Sequence, residues 1–64
     1  MLGNVVTSYD GERWCNSVVG SAVVANYRAT AAEAELKGRA MAQARHVIHI
    51  VRDETGAVVS LTRY

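Results

Sequence analysis

The amino-terminal part of the chain alternates β-branched or aromatic residues with polar ones, a pattern typical of half-buried β-strands. One such segment, residues 5–9, stops at Asp10-Gly11, a dipeptide that tolerates the positive φ angles of a tight hairpin turn. Residues 12–19 are predicted to return beside it as a second strand. A two-residue loop would set Thr7 opposite Trp14, and Trp14 is expected to anchor the core from one face of the sheet.

A third strand is predicted after a break at Gly20-Ser21. It covers residues 22–28, and its alternation places Val23, Ala25 and Tyr27 on the same side. The chain therefore offers three strands before the first signal for a helix.

A single helix is predicted from Ala31 to about Arg45. Thr30 and Glu33 form a capping box, in which a hydroxyl and a carboxylate satisfy amides at the start of the helix. The segment is rich in alanine and contains no proline, so it favours helix throughout. One face carries mostly small residues and would let the helix approach a sheet closely. That face consists of Ala31, Ala34, Gly38, Met41 and Ala42.

The carboxy-terminal part of the chain predicts a second hairpin. Residues 46–51 form a β-branched run, residues 52–56 form a polar turn whose Gly56 can take a left-handed conformation, and residues 57–64 return as a strand. The element order is therefore β-β-β-α-β-β. We predict an α+β fold in which one helix packs on an antiparallel sheet of about five short strands.

The length of 64 residues allows one domain only, so residues 1–64 are predicted to fold as a single unit. Cys15 is the only cysteine, which excludes an internal disulfide, and we expect it to be a buried apolar residue in a reducing cytoplasm. The chain begins without a basic segment followed by a long apolar run, and no run approaches the roughly 20 residues of a bilayer crossing. These features predict neither a signal peptide nor a membrane span.

The residues that could carry chemistry form no recognisable motif. His46 and His49 are three positions apart in a predicted strand, so they point to opposite faces and cannot both bind one metal ion. We expect His49 to be a partly buried or edge histidine with a backbone partner. No Gly-rich phosphate loop or nucleophile elbow occurs, and a thin layer of helix on sheet offers little enclosed volume. We therefore predict no catalytic residue, no metal, no cofactor and no enzymatic activity.

One pattern suggests nucleic acid as a possible partner. Four arginines lie on or beside predicted strands, close to tyrosines, and could place guanidinium groups beside aromatic rings on one sheet face. The candidate residues are Arg13, Arg28, Arg52, Arg63 and Tyr27. The net charge is only +1, and neighbouring acidic residues dilute any basic patch, so we favour a solvated sheet face over this alternative.

Self-association is favoured more strongly. A sheet this small exposes open edges and faces, and the chain gains a larger core when two copies meet across a two-fold axis. Leu36 and Ala40 lie away from the small face of the helix, where a second layer or a partner could cover them. We predict a non-enzymatic interaction module that acts through its sheet surface or edges, as a homodimer or with another protein.

The order and spacing of these elements resemble a small bacterial family classed as domain of unknown function 2188. The features that carry the resemblance are the strand that begins at Val5, the turn leading to Trp14, the helix start at Thr30, the strand at residues 47–50 and the last strand, which ends in Tyr64. In that family an apolar residue usually stands two positions after the tryptophan, where this chain has asparagine. The resemblance implies this fold and a bacterial or phage origin, and it transfers no functional residue.

Overall fold

The computed structural model describes residues 2–64 and shows one helix packed on a five-stranded sheet. The elements are, in chain order, β1 (Val5–Tyr9), β2 (Trp14–Val18), β3 (Val24–Arg28), α1 (Ala31–Arg45), β4 (Ile48–Arg52) and β5 (Val58–Arg63). The predicted α+β class and the order β-β-β-α-β-β are confirmed. No helix among the described residues is both long and apolar enough to cross a membrane.

The sheet is mixed, which corrects the expectation of a wholly antiparallel one. Its strand order is β3-β2-β1-β4-β5, so the first strand lies at the centre. β1 pairs with β4 in parallel, while the other three pairs are antiparallel. The parallel pair arises because β3 and α1 carry the chain back across the sheet before β4 begins, and parallel neighbours require such a crossover.

The first hairpin has a longer loop than the sequence predicts. The carboxylate of Asp10 accepts hydrogen bonds from the amides of Glu12 and Arg13, at 2.9 and 2.7 Å, and so holds four residues in the turn. Tyr9 is therefore opposite Trp14, and Thr7 is opposite Asn16. The predicted register, with Thr7 opposite Trp14, is wrong by two residues. Two is the period of a strand, so each residue keeps its face although its neighbour changes.

The third strand also differs from its prediction. It begins at Val24, and a register irregularity between Asn16 and Ser17 pairs Ser17 with Val24. Cys15 and Ser17 lie on the same face of β2, so their partners Tyr27 and Val24 share one face of the sheet. The sequence pattern had predicted that Val23 and Ala25 share the face of Tyr27.

The helix is confirmed over residues 31–45. The hydroxyl of Thr30 accepts from the amide of Glu33 at 3.2 Å, and it also donates to the Glu33 carboxylate, where we had expected the carboxylate to reach the Thr30 amide. His46 ends the helix in a left-handed conformation, and its amide is directed to the carbonyls of Ala42 and Gln43. His46 is therefore a helix cap, not the strand start that the sequence predicted.

The core between helix and sheet is small and unusually polar. The buried apolar residues of the described chain are Val5, Cys15, Ala34, Ala42 and Val51, and the buried polar residues are Asn4, Thr7, Asn16 and His49. Cys15 does not contribute to the core beneath the helix, because it precedes Asn16 in β2 and pairs with Ser8 on the opposite face of the sheet. The small helix face is confirmed, since Ala34, Gly38 and Ala42 are its buried residues. Trp14 is only partly buried and stacks at a tilt on Tyr9, with 5.1 Å between ring centroids. It therefore flanks this core, whereas we had expected it to anchor the core.

Candidate functional site

The two faces of the sheet differ in what covers them. α1 packs on β1, β2, β3 and β4, whereas no α-carbon of β5 lies within 8 Å of an α-carbon of the helix. The face beneath α1, which we call the helix face, is identified by Asn16, whose side chain bonds to the helix. The opposite face, which we call the open face, has no helix of the described chain against it. Successive residues of a strand alternate between these faces, so each strand contributes to both.

A row of polar side chains crosses the helix face. The strand register places Asn26 opposite Asn16, Asn16 opposite Thr7 and Thr7 opposite Val51, all on this face. Asn16 and Thr7 are completely buried. Buried polar groups are costly unless each is hydrogen-bonded, so the row must be a connected network.

The hydrogen bonds in this network have defined directions. The amide nitrogen of Asn16 donates to the carbonyl of Ala34 on the helix, at 3.0 Å, and to the side-chain oxygen of Asn26, at 2.9 Å. Because the Ala34 carbonyl can only accept, the orientation of the Asn16 amide is fixed and its oxygen must face Thr7. The hydroxyl of Thr7 donates to that oxygen at 2.5 Å. The network therefore ties β3, β2 and β1 to the helix.

The same directions determine the tautomer of His49. Its Nε2 lies 2.7 Å from the Thr7 oxygen, whose only proton is already donated to Asn16. Nε2 must therefore carry a hydrogen and donate it to Thr7, which leaves Nδ1 with a free lone pair in the neutral ring. We had expected a backbone partner for His49, and the structure places a buried hydroxyl there instead.

Burial lowers the pKa of His49 below its usual value. The carboxylate of Glu35 acts in the opposite direction, and the guanidinium of Arg39 lowers the pKa further. His49 is therefore mainly neutral at pH 7, in the form that donates from Nε2 and accepts at Nδ1.

Gly38 allows the helix to lie directly over this network. A Cβ at residue 38 would come within 2.5 Å of oxygens on Asn16 and Thr7 and within 2.6 Å of Nε2 of His49. Such distances are far below van der Waals contact, so no larger residue fits without movement of the network. The predicted close approach of the helix is thus explained by one position that must remain glycine.

A groove opens on the helix face beside His49, where β5 extends beyond the helix. Its volume is about 330 Å³. One wall is α1, which contributes Ala32, Glu35, Leu36 and Arg39. The floor and the other wall come from the two last strands and the residue after them, with His49, Val51, Ser60, Thr62 and Tyr64. This groove provides more space than the sequence predicted, although it is open along one side.

The open face carries a row of aliphatic side chains. The strand pairs place Val24, Ser17, Val6, Ile50 and Leu61 side by side across all five strands. Ile48 lies on the same face, two positions from Ile50. We call Val6, Val24, Ile48, Ile50 and Leu61 the aliphatic patch. Leu61 is 61% exposed, and the others are half-buried or exposed.

The residues of the predicted nucleic-acid face are not gathered into one surface. Arg13 lies over the ring of Tyr27, with its guanidinium carbon 3.7 Å from the ring centroid, so that side of the ring is already covered. Arg28 follows Tyr27 and points to the other face of the sheet. Arg52 and Arg63 both belong to the open face but lie at opposite ends of the β4–β5 hairpin, because Arg63 pairs with Ile48 and Arg52 pairs with Val58.

The sequence reasoning missed the residues of the polar network. The alternating pattern predicts Thr7, Asn16 and Asn26 only as strand residues, because nothing in a single strand segment marks a threonine or asparagine as buried. The available signal was the correct register, which aligns the three residues in one row. Cys15 is buried as predicted, with its sulfur 3.6 Å from the Ser8 hydroxyl. Among residues 2–64, no group of three or more metal-ligating side chains is gathered.

Comparison with known proteins adds no relative to this description. No family model, no curated protein and no solved structure matches the chain. The resemblance to the domain of unknown function 2188 family therefore stays a prediction, and the function must be argued from the geometry of the fold.

Proposed function

We propose that this protein is a non-enzymatic interaction module that forms a homodimer through its open face. The observation that carries the proposal is the aliphatic patch, whose residues lie on four of the five strands and have no element of the described chain packed on them. In β2 the row passes through Ser17, between Val24 and Val6. Exposed apolar surface of this kind is typical of protein interaction sites. Two such faces can pack against each other at about 10 Å, as the sheets of a β-sandwich do.

The composition of the core supports a second copy as the occupant. Beneath the helix, the largest fully buried side chains are Val5, Asn16 and Thr7, so little apolar area is removed from water there. A buried valine contributes roughly 1.5–3 kcal/mol, and a domain of this size gains only a few kcal/mol from its core. Burial of the aliphatic patch against its own copy adds a second apolar layer without any other component.

The distribution of charge favours an arrangement in which the two sheets run in opposite directions. The five strands contain no acidic residue, and the acidic side chains lie in α1 and in the two turns at one end of the sheet. Asp53 and Glu54 occupy the β4–β5 turn, while Arg63 lies at the other end of β5. A two-fold axis perpendicular to the strands brings Arg63 of each copy near the acidic turn of the other.

The dimensions predict a weak interface. The two longest extents of the molecule are 28 and 23 Å, which limit the contact to about 600 Å² per copy, at the low end for specific complexes. We therefore expect dissociation at micromolar protein concentrations, in a range that light scattering and sedimentation can follow.

The test is a comparison of two substitutions that are matched in chemistry and exposure. Leu61 in the patch is 61% exposed, and Leu36 on the helix is 62% exposed. Leu61→Lys places a charge in the proposed interface and should raise the dissociation constant at least tenfold. Leu36→Lys places the same charge outside it and should leave the constant unchanged. Sedimentation velocity over a hundredfold range of concentration measures both, with circular dichroism as the check on folding.

Two outcomes would overturn the dimer. One is a wild-type protein that stays monomeric up to about 1 mM, and the other is dissociation caused equally by both substitutions. If the protein is monomeric and a different protein protects the backbone amides of the patch from hydrogen exchange, the open face would instead be assigned to a heterologous partner.

Nucleic acid is the second candidate, supported by the absence of acidic residues from the strands and by Arg13, Arg52 and Arg63 on or beside the open face. The covered ring of Tyr27 and the separation of Arg52 from Arg63 make it the weaker candidate. A mobility-shift titration with mixed DNA and RNA at 50 and 200 mM salt should show steep salt dependence if phosphates are bound. Absence of any shift at 50 mM salt would eliminate this function.

A further inference from the structure

The groove beside His49 has features that the open face and the proposed dimer do not use. His49 is 5% exposed and lines the groove. Among the described residues, Nδ1 of His49 has no hydrogen-bond partner. Every side-chain nitrogen or oxygen that is fully buried in this part of the chain does have a partner. Nδ1 must therefore reach solvent, and the groove is the space from which solvent reaches it. A buried ring thus presents one acceptor of fixed direction to a cavity.

We propose that this groove binds a small zwitterion that has an ammonium and a carboxylate attached to the same carbon, that is, a free α-amino acid with an aliphatic side chain. In this arrangement the ammonium group donates to Nδ1 of His49 and to the carboxylate of Glu35. The carboxylate of the ligand is bound by the guanidinium of Arg39. Each charged group of the ligand meets its opposite on the protein.

The acceptor at His49 selects for a ligand that donates a proton. The Thr7 hydroxyl holds Nε2 as the donor end of the ring, so Nδ1 can only accept while the ring is neutral. The network from Asn26 to Thr7 keeps the ring in one orientation, because rotation would break the bond to Thr7. Such a pre-formed group binds without the entropy cost of ordering a mobile side chain.

Two opposite charges on one helix face supply the complement to a zwitterion. Glu35 and Arg39 are four residues apart, so their side chains project from adjacent turns on the same side of α1, with about 5–6 Å between Cβ atoms. The planar guanidinium can donate two parallel hydrogen bonds to a carboxylate. Hydroxyls of Ser60 and Thr62 lie on the opposite wall, where they can complete the hydrogen bonding of the same groups.

The size and the apolar residues of the groove define the rest of the ligand. A volume of about 330 Å³ is at the lower limit for ligand pockets, which suits one amino acid better than a peptide or a nucleotide. Leu36, Ala32 and Val51 supply apolar surface beside the charged groups. An aliphatic side chain on the ligand would cover Leu36, which is otherwise largely exposed.

Nuclear magnetic resonance provides the direct test, with L-leucine as the probe. Titration of ¹⁵N-labelled protein to 20 mM L-leucine should shift the Nδ1 signal of His49 and the amide signals of residues 35–39 and 60–62 along one saturating curve. Two analogues separate the charges: N-acetyl-leucine lacks the ammonium group, and leucinamide lacks the carboxylate. Each should bind at least fivefold more weakly than leucine. The same analogues distinguish a free amino acid from the terminus of a peptide, which carries one of the two charges only.

Matched substitutions on the same helix complete the design. Glu35→Gln and Arg39→Gln change the two proposed contacts, and each should weaken leucine binding at least fivefold. Glu33→Gln and Arg45→Gln change the same residue types outside the groove and should have no effect. All four positions are exposed, so the fold should tolerate each change. The proposal is refuted if leucine causes no saturable shift at 20 mM, if the three probes bind equally, or if the control variants lose binding as much as the groove variants. Because Leu61→Lys leaves the groove intact, leucine binding in that variant is independent of the dimer test.

Discussion

Substitution of Gly38 by alanine is the sharpest test of the polar network. Helix propensity predicts that the variant is more stable than the wild type, whereas the packing of the helix on the network predicts that it is less stable. In a solvent-exposed helix, alanine is more favourable than glycine by about 1 kcal/mol. At position 38 the added Cβ would lie 2.5–2.6 Å from three polar atoms of the network. Either the helix or the network must move by about 0.8 Å to restore ordinary contact distances.

The expected cost follows from that movement. Insertion of a methyl group into a well-packed site costs about 1–3 kcal/mol. Displacement of Thr7 or Asn16 also breaks a buried hydrogen bond, and a buried polar group left unpaired costs about 1–3 kcal/mol. After the gain of about 1 kcal/mol from helix propensity is subtracted, Gly38→Ala should lower the free energy of unfolding by about 1–5 kcal/mol.

Urea unfolding followed by the fluorescence of Trp14, the single tryptophan, measures this change. Ala40→Gly is the matched control, since residue 40 is exposed in the same helix, and it should cost about 1 kcal/mol by propensity alone. If Gly38→Ala leaves too little folded protein, both proteins can be compared in trimethylamine N-oxide, which stabilises folded states. An alanine variant as stable as the wild type, or more stable, would show that the helix does not lie against the network.

Three further substitutions test separate parts of the description. Burial lowers the pKa of His49, so near pH 6.5 and just below it the unfolded chain binds a proton that the folded chain does not. The free energy of unfolding should therefore be greatest above pH 6.5 and fall as the pH drops through that value. His49→Gln should reduce the change in the free energy of unfolding between pH 7.5 and 5.5, as measured by urea titrations. If the variant depends on pH as strongly as the wild type, another group causes the dependence. Thr30→Ala removes the helix cap and should cost about 1 kcal/mol, whereas equal stability would contradict the cap geometry. Trp14→Ala should cost about 1–2 kcal/mol by circular dichroism, less than the 3–5 kcal/mol of a fully buried tryptophan, because the ring is only partly buried.

The helix and the number of strands could be predicted from the sequence because their signals are local. The Thr30 cap, the alanine-rich segment and the absence of proline all belong to the helix or its first flanking residue, and the helix begins where those signals predict. The polar turn at residues 53–56 is equally local. Asp53 accepts from the amides of Thr55 and Ala57, and Gly56 takes the expected positive φ of 90°.

The register and the polar network could not be predicted, because each depends on residues far apart in the chain. The Asp10 carboxylate enlarges the first turn and shifts the pairing by two residues, an effect that the dipeptide Asp-Gly does not reveal. The bond between Thr7 and His49 joins residues 42 positions apart and requires the parallel pairing of β1 with β4. A sequence pattern marks which residues can face a core, but it does not show which polar residues will meet there.

The two faces of the sheet stabilise the fold by different kinds of interaction, and this difference connects the structure to the proposed function. Beneath the helix, directional hydrogen bonds from Asn16 and Thr7 fix the position of α1, since the apolar side chains there are few and small. Hydrogen bonds specify geometry well but contribute only about 1 kcal/mol each to stability, so this face determines one structure without making it very stable. The aliphatic patch on the open face has the opposite properties, because apolar burial is non-directional and proportional to area. A second copy on the open face would therefore supply stability that the helix face lacks, while the helix face, already fixed in shape, remains free to hold a small ligand in its groove.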